Sequence, residues 1–450
     1  MMTDKEPFQA PPTDSLGKAM HDFIKELFPI CRSITGEGVR ETLRLIQKRI
    51  PLETHEVPSG TKVFDWTVPL EWNVTDAYIA NEAGVRVIDF KANNLHLMSY
   101  STPLNKKMRL GDLQSHLFSL PDHPDWIPYR TSYYQENWGF CTRHKDLAQL
   151  ADGEYDVVID STLKPGSLTY GECYLPGESS DEILVSCHVC HPSLCNDNLS
   201  GIAVAVMLAQ AMAARSRRYS YRFLFIPGTI GSITWLARNE HVTSRIKHGL
   251  VLTGLGDAGK MTYKKSRQGQ TEIDRAMVHV LKYAGEPYAV QDFSPYGYDE
   301  RQFCSPGFNL AVGCVMRTPH GQYPEYHSSA DNLEFVKAES LAQSYARCLS
   351  AFEVLEQNRI YLNQNPKCEP QLGRRGLYRA VAGQQEKQSR ELAMLWVLNG
   401  SDGTQSLLQI ADRAEMPFQD ISYAAKSLVE AGLLRESPVR FTTDRNPLTH

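Results

Sequence analysis

Basic residues are in short supply. Lys and Arg number 47 against 52 Asp and Glu, a formal net charge of −5. The chain as a whole therefore lacks the positive field that general binding to nucleic acid or an anionic membrane requires. Long apolar runs are also missing. The longest, near Gly201–Ala214, is interrupted by Gln210 and falls short of the ~20 residues of a bilayer span. The opening MMTDKEPFQAPPTDS has no apolar signal core. The ten cysteines follow no regular spacing, which argues against a disulfide framework and fits reduced thiols in a cytosol. Cys187-His-Val-Cys190 has CxxC spacing, but after Cys195 the next cysteine is Cys304, too far for the second pair of a zinc ribbon. Repeats and low-complexity tracts do not stand out. These absences predict a soluble cytoplasmic protein with no membrane and no nucleic-acid partner.

What is present is ample for several cores: 450 residues, 42% hydrophobic and 22% charged, predict two or three domains. Residues 1–14 are Pro-rich and expected to be loosely attached. An amphipathic helix fits from Ser15 (Met20, Phe23, Ile24, Leu27), then CRSITGEG, then a second helix over Val39–Arg49. At Pro51 the texture changes to short alternating runs (Thr61–Pro69, Val85–Asp89, Tyr155–Asp160) separated by turn signals, as in a mostly β module. Its aromatics Trp66, Trp72, Tyr129, Tyr133, Tyr134 and Trp138 read as core and rim rather than a ligand cage.

From 181 to 355, strand-like runs (Ile183–Ser186, Tyr221–Ile226, Gly249–Thr253, Leu310–Val315) alternate with helix-like ones (199–214, 230–239, 271–284, 338–356). Such alternation predicts an α/β sheet with helices on both faces. Residues 357–370 read as a linker. Helices at Ser389–Leu398, Thr404–Ala414 and Asp420–Leu434, followed by a possible wing from Leu433 to Pro438, make the winged-helix pattern. The third helix sets only Lys426 against Asp420 and Glu430, a poor phosphate footprint, so a protein partner or homo-oligomer contact is expected there rather than DNA.

The chain is organised around Glu182–Ala214. The apolar Ile183-Leu184-Val185 reads as a strand buried on both faces, and the segment from Leu199 as a buried helix. The loop between them holds His188, His191, Cys187, Cys190, Cys195 and Asn196-Asp197-Asn198. Carboxyl ends of strands in open α/β sheets are where ligands bind, so two histidines and a carboxylate there point to a metal site. The plainer alternative is a polar turn with a helix cap at Asn198 or Asp197.

A second strand-end loop, MRTPHGQYPEYHSSADN, offers His327 and, less securely because Pro-His-Gly is also a turn, His320. Catalytic zinc takes three N or O donors and keeps one position open. His188, Asp197 and His327 meet that need, with Asp257 of TGLGDAG as a fourth. Asp299-Glu300-Arg301 supplies a carboxylate pair for general-base work or, alternatively, a surface ion pair. Asp299, Arg317 and Tyr326 stand as substrate-binding candidates.

At these residues the chain resembles a family. HVCHPSLCNDNLSG resembles the NDNxSG loop of co-catalytic zinc aminopeptidases, and EYHSSADN resembles their closing His before Ser/Thr-x-x-Asp. RFLFIPGTIGS sits where those enzymes carry a strand ending in Glu-Glu. The whole chain is similar to a bacterial group of aminopeptidase-like proteins, through FPICRSITGEGVRETL, VPSGTKVFDWTVP, SYYQENWGFC, SRQGQTEIDRA and YGYDERQF. The resemblance implies a zinc-aminopeptidase (phosphorylase/hydrolase-like) mixed sheet flanked by helices at 15–50 and 171–360. It further implies an inserted mostly-β domain at 51–170 and a winged-helix domain at 371–450. It implies His188, Asp197 and His327 as ligands to one zinc ion, or two bridged by Asp197, and hydrolysis of an amide in a peptide or amino-acylated small molecule. The departures are Cys190 for the supporting aspartate, Gly228-Thr229 for the Glu-Glu pair, and Thr253, with Asp257 a few residues on, for the later metal aspartate. Glu300 is then the first candidate base and Glu325 the second. The alternative is a catalytically impaired metal-binding or regulatory protein that uses the winged helix for partner contact.

Overall fold

Two largely apolar runs, Glu182–His188 and Ser220–Ile226, form adjacent parallel strands whose every residue is buried. A strand covered on both faces needs no polar alternation, and these have little. The structure, a computed structural model, describes residues 13–377 and 384–437. Most of the Pro-rich start lies outside the described residues, as does any wing beyond residue 437.

The strands of the large sheet, in chain order, are β1 (Glu53–Pro58), β2 (Ser167–Leu175), β3 (Glu182–His188), β4 (Ser220–Ile226), β5 (Ile246–Leu252), β6 (Met261–Lys264), β7 (Tyr288–Gln291) and β8 (Val312–Met316). Their spatial order is β1-β2-β4-β3-β5-β8-β6-β7. The four strands β4, β3, β5 and β8 run parallel to their neighbours in that series, and β1, β2 and β6 introduce antiparallel pairs. The sheet is therefore mixed. From β3 the chain moves to β4 on one side and then to β5 on the other, so the strand order reverses at β3. The crevice beyond the carboxyl end of such a strand is the usual ligand site of an open α/β sheet.

Helices α1 (Thr13–Leu27), α2 (Glu37–Gln47), α3 (Ser200–Ala213) and α4 (Ile230–Asn239) accompany this sheet. α1 buries Met20, Phe23, Ile24 and Leu27, and it packs on α3. In α3 only Met207, Gln210 and Ala213 escape full burial, which explains why its apolar residues run all round the helix.

Glu71–Asn81, Arg86–Asp89, Leu104–Arg109 and Glu154–Lys164 form a separate four-stranded antiparallel sheet. Trp72, Ala77, Ile79, Ile88, Val157 and Ile159 fill its core. β1 and β2, at the two ends of the stretch expected to be one β module, pair instead with the large sheet. β6 lies between the strand-like run at 249–253 and the helix-like run at 271–284, where the sequence predicts no element.

A second compact unit comprises Gln270–Glu286 and the chain from Arg347 onward. Within it Leu407–Ala414 and Phe418–Glu430 follow a helix over Gln384–Gly400. A three-stranded sheet orders Asp402–Ser406, Ile360–Asn363 and Leu434–Glu436. The stretch 357–370 is thus no simple linker, because it supplies the central strand. His279, in the helix Glu272–Lys282, holds this unit together: its Nε2 accepts from the Phe418 amide at 3.0 Å and its Nδ1 meets Asp412 at 2.7 Å. No helix among the described residues is long and apolar enough to cross a membrane.

Candidate metal centre

His188 is the last residue of β3, and Asp197 lies on the short irregular turn Cys195–Leu199 that leads into α3. Neighbouring groups fix that turn from three sides. Asp331 accepts the amides of Asn196 at 2.6 Å and Asp197 at 2.9 Å on its two carboxylate oxygens. Asn196 accepts the Gly256 amide at 2.8 Å. Asn198 donates to the Leu252 carbonyl at 2.9 Å, and its amide stands 3.3 Å from His188 Nδ1. α3 can start this close only because residue 201 is glycine: a Cβ there would lie 2.4 Å from the Asn198 side chain and 2.6 Å from the Leu252 carbonyl oxygen. From the CRSITGEG stretch, buried Arg32 donates through Nε to the His191 carbonyl at 2.9 Å and through Nη1 to the Leu27 carbonyl at 2.7 Å.

Three imidazoles converge on the Asp197 carboxylate. His188 Nε2 stands 2.8 Å from Oδ1, His327 Nε2 3.1 Å from Oδ2, and His191 Nε2 4.0 Å from Oδ2. Ligand atoms of one zinc ion, at bonds of ~2.0–2.2 Å, stand about 3 Å apart. Ligand atoms of His188, His191 and Asp197 all lie within 4.8 Å of one another, and all three residues are buried. Burial pushes the pKa of His191 well below its usual value, toward the neutral form that a ligand needs. Burial also works to raise that of Asp197, but His191, His188 and His327 outweigh it and hold the carboxyl well below the usual carboxylate range. His327 adopts a left-handed backbone with φ +56°, a conformation that persists in a non-glycine residue only when its surroundings impose it. Here Tyr129 of the inserted region imposes it: its amide donates to the His327 carbonyl at 2.8 Å. Its ring packs edge-on against His191 and His327 at 5.2 and 5.1 Å. This imidazole and carboxylate donor set fits a divalent ion of zinc's preferences.

The other expected site residues fall elsewhere. Asp257 is not in the group of ligand atoms among the described residues; its oxygens instead accept from Asn196, Gly259 and Thr318, with the Thr318 hydroxyl at 2.6 Å. Glu300 is no free base. Its carboxylate is buried, ion-paired to Lys264 at 2.7 Å and bonded to the Tyr298 amide at 3.0 Å. Asp299 is fully buried and accepts from the Ser232 hydroxyl at 2.7 Å, so it presents nothing to a substrate. Arg317 is spent on structure, donating to the Gly259 and Ser340 carbonyls. Tyr326 does lie at the site, stacked 4.0 Å from the His327 ring. Glu325 is half-buried, and among the described contacts its carboxylate makes none with the cluster.

His191, read in the sequence as one of the loop's two histidines pointing to a metal site but left out of the ligand set His188, Asp197 and His327, joins the cluster. His320 lies nearby, its Nε2 buried without a partner and its ring 5.9 Å from Tyr298. Gly228, where a glutamate pair was expected, faces Tyr298: a Cβ would meet that ring at 2.1 Å. Tyr298 in turn lies 3.8 Å from the His188 ring.

A family model described as "Domain of unknown function (DUF4910)" matches residues 21–358, and a winged helix-turn-helix model matches 359–436. A Clostridium acetobutylicum protein, provisionally named for polysaccharide biosynthesis and an aminopeptidase-like domain, is 55% identical over 419 residues, covering 93% of this chain and 96% of its own. A crystal structure from the same organism, provisionally named a peptidase, matches with TM-score 0.90 and 53% identity over 94% of this chain and 97% of that one. A zinc aminopeptidase from Bacillus subtilis shares the fold, with TM-score 0.55 and 13% identity over 78% of this chain and 96% of its own. With three quarters of its length matched and a relative more than half identical end to end, this aminopeptidase-fold chain with a C-terminal winged helix belongs to the family described as Domain of unknown function (DUF4910).

Proposed function

We propose that the chain is a zinc-dependent hydrolase of aminopeptidase type, acting on an amide of a peptide or an amino-acylated sugar. The observation that carries this reading is the convergence of three imidazole Nε2 atoms on the buried Asp197 carboxylate, at the strand end where the sheet order reverses. The sugar alternative draws support from the provisional name of the Clostridium relative, which refers to polysaccharide biosynthesis.

His188, His191, Asp197 and His327 would hold one ion. A zinc ion held there supplies a Lewis acid that polarises a carbonyl and acidifies water. Asp197 stays ionised beside the three rings, and Asn198, Tyr129 and Tyr326 orient them. Tyr298 fills the space at Gly228, and Glu300 is committed to Lys264. The proton acceptor in this reading is therefore His320, whose buried Nε2 has no other partner among the described residues, with Glu325 as the remaining carboxylate.

The test is elemental analysis of the full-length protein, followed by an aminoacyl-amide panel before and after chelation. About one zinc per chain is expected, with turnover lost on chelation and restored by zinc. His320→Gln or Glu325→Gln should slow turnover by about 10²–10⁴-fold with zinc content unchanged. Zinc bound without any turnover would select the second reading, a metal-binding regulatory protein. That reading is favoured by the aromatic ring standing where the sequence lacks its glutamates.

A further inference from the structure

Tyr298, whose ring lies 3.8 Å from that of His188, also lines a cavity of about 250 Å³, bounded among others by Trp66, Tyr133, Tyr134, Ile233 and Arg301. Its volume suits one ring-sized group, below the ~300–1,000 Å³ of pockets for drug-sized ligands. No acidic side chain lines it among the described residues. Trp66 and Tyr134 stand 47% and 50% exposed at this cavity, packed edge-to-face at 5.4 Å. Aromatic faces left open to solvent beside a cleft are surfaces on which flat rings stack.

Arg301 is the one cation in the lining among the described residues. It makes no hydrogen bond or ion pair among the described residues, and its Nε is buried without a partner. Asp299, two residues earlier, directs one oxygen to Ser232 rather than to the guanidinium. A guanidinium that is partly desolvated and unpaired has a strong preference for a carboxylate or phosphate, which its fork can hold through two bonds. The same cation would repel a protonated amine.

Building on the hydrolase reading, we infer that this cavity is the substrate subsite for a ring-sized group bearing an anionic substituent. Arg301 holds the anion, Trp66 and Tyr134 hold the ring, and the bond to be cleaved falls one aromatic side chain away, at the histidine cluster. The inserted β region contributes the ring-binding wall and thereby selects the substrate.

The test uses the full chain with its metal removed by chelation, so that an added anion cannot report on an ion at the histidines. Benzoate, phenyl phosphate and the neutral benzamide are titrated by calorimetry and by tryptophan fluorescence. At least one of the two anions should bind about tenfold more tightly than benzamide, the worth of a charge-assisted bond. Which anion does so tells carboxylate from phosphate. Arg301→Gln should abolish the preference, and Trp66→Phe should keep it while losing the fluorescence change. Equal affinity for benzamide and both anions, no binding of any probe at millimolar concentration, or an unchanged preference in Arg301→Gln would overturn the inference. The wild-type comparison stands even if Arg301→Gln fails to fold. A chain that binds the anion but holds no zinc before chelation would sink the hydrolase reading and leave the subsite. An active zinc protein without the anion preference would do the reverse.

Discussion

Replacing Asp299 with asparagine removes a charge from a fully buried site while keeping the side chain's shape. Asp299 is 0% exposed; its Oδ1 accepts from Ser232 at 2.7 Å and its Oδ2 has no partner among the described residues. Burial pushes its carboxyl from 3.8 up to about 7, with Glu300 adding to the rise and Ser232 and Arg301 opposing it. Because the folded pKa is the higher one, the fold binds the proton more tightly than the unfolded chain does. The resulting stability is complete below the unfolded pKa near 4 and is lost as pH rises through about 7. Each pH unit in that window is worth about 1.4 kcal/mol. Between pH 5 and pH 8 the wild type should therefore lose about 3 kcal/mol from this one group, while Asp299→Asn loses none of it. The variant's stability relative to wild type should thus improve by that amount between the two pH values. Urea denaturation at both, followed by intrinsic fluorescence, measures the gap. A gap that does not change with pH would refute the reasoning, since it would mean that Asp299 ionises in the fold as easily as in the unfolded chain.

Two further outcomes follow from the same geometry. Arg32→Met keeps most of the side-chain volume but leaves the buried carbonyls of Leu27 and His191 without their donor, costing roughly 2–5 kcal/mol of stability. By loosening the His191 loop it should also weaken zinc binding about 10–100-fold, so unchanged affinity in a chelator competition would show that the loop holds itself. The helix Phe418–Glu430 exposes Gln419, Asp420, Tyr423, Lys426, Val429 and Glu430, one positive charge against two negative. A labelled DNA duplex should therefore show no anisotropy change at physiological salt, and micromolar binding that weakens steeply with added salt would contradict this.

Much of the framework follows from local pattern. The apolar runs of β3 and β4 read as strands, and α3 as a buried helix, because exposing so much apolar surface would forfeit burial. His188 and Asp197 were legible because they sit where such a strand ends and such a helix begins, within one short loop. The motif around His327 gave the third partner. The short strands β6 and β7 were not legible, since four residues carry too little periodicity to separate strand from loop.

What only the tertiary structure decided is which charges are already spoken for. Asp257, Glu300 and Arg317 have side chains suited to a site, but each is saturated by partners distant in sequence: Thr318 for Asp257, Lys264 for Glu300, and Gly259 and Ser340 for Arg317. A buried charge takes whichever partner the fold places beside it, because leaving it unpaired costs more than a single local preference can supply. By the same rule, His191 enters the cluster because Arg32 holds its carbonyl, and Arg301, which makes no ion pair among the described residues, lines a cavity. The inserted region's aromatics read from composition as core and rim, and Trp72 is core. Tyr129 against the histidines, with Trp66, Tyr133 and Tyr134 on the adjoining cavity, could not be foreseen. Their neighbours lie up to about two hundred residues away, and sequence spacing says nothing about contacts that only folding makes.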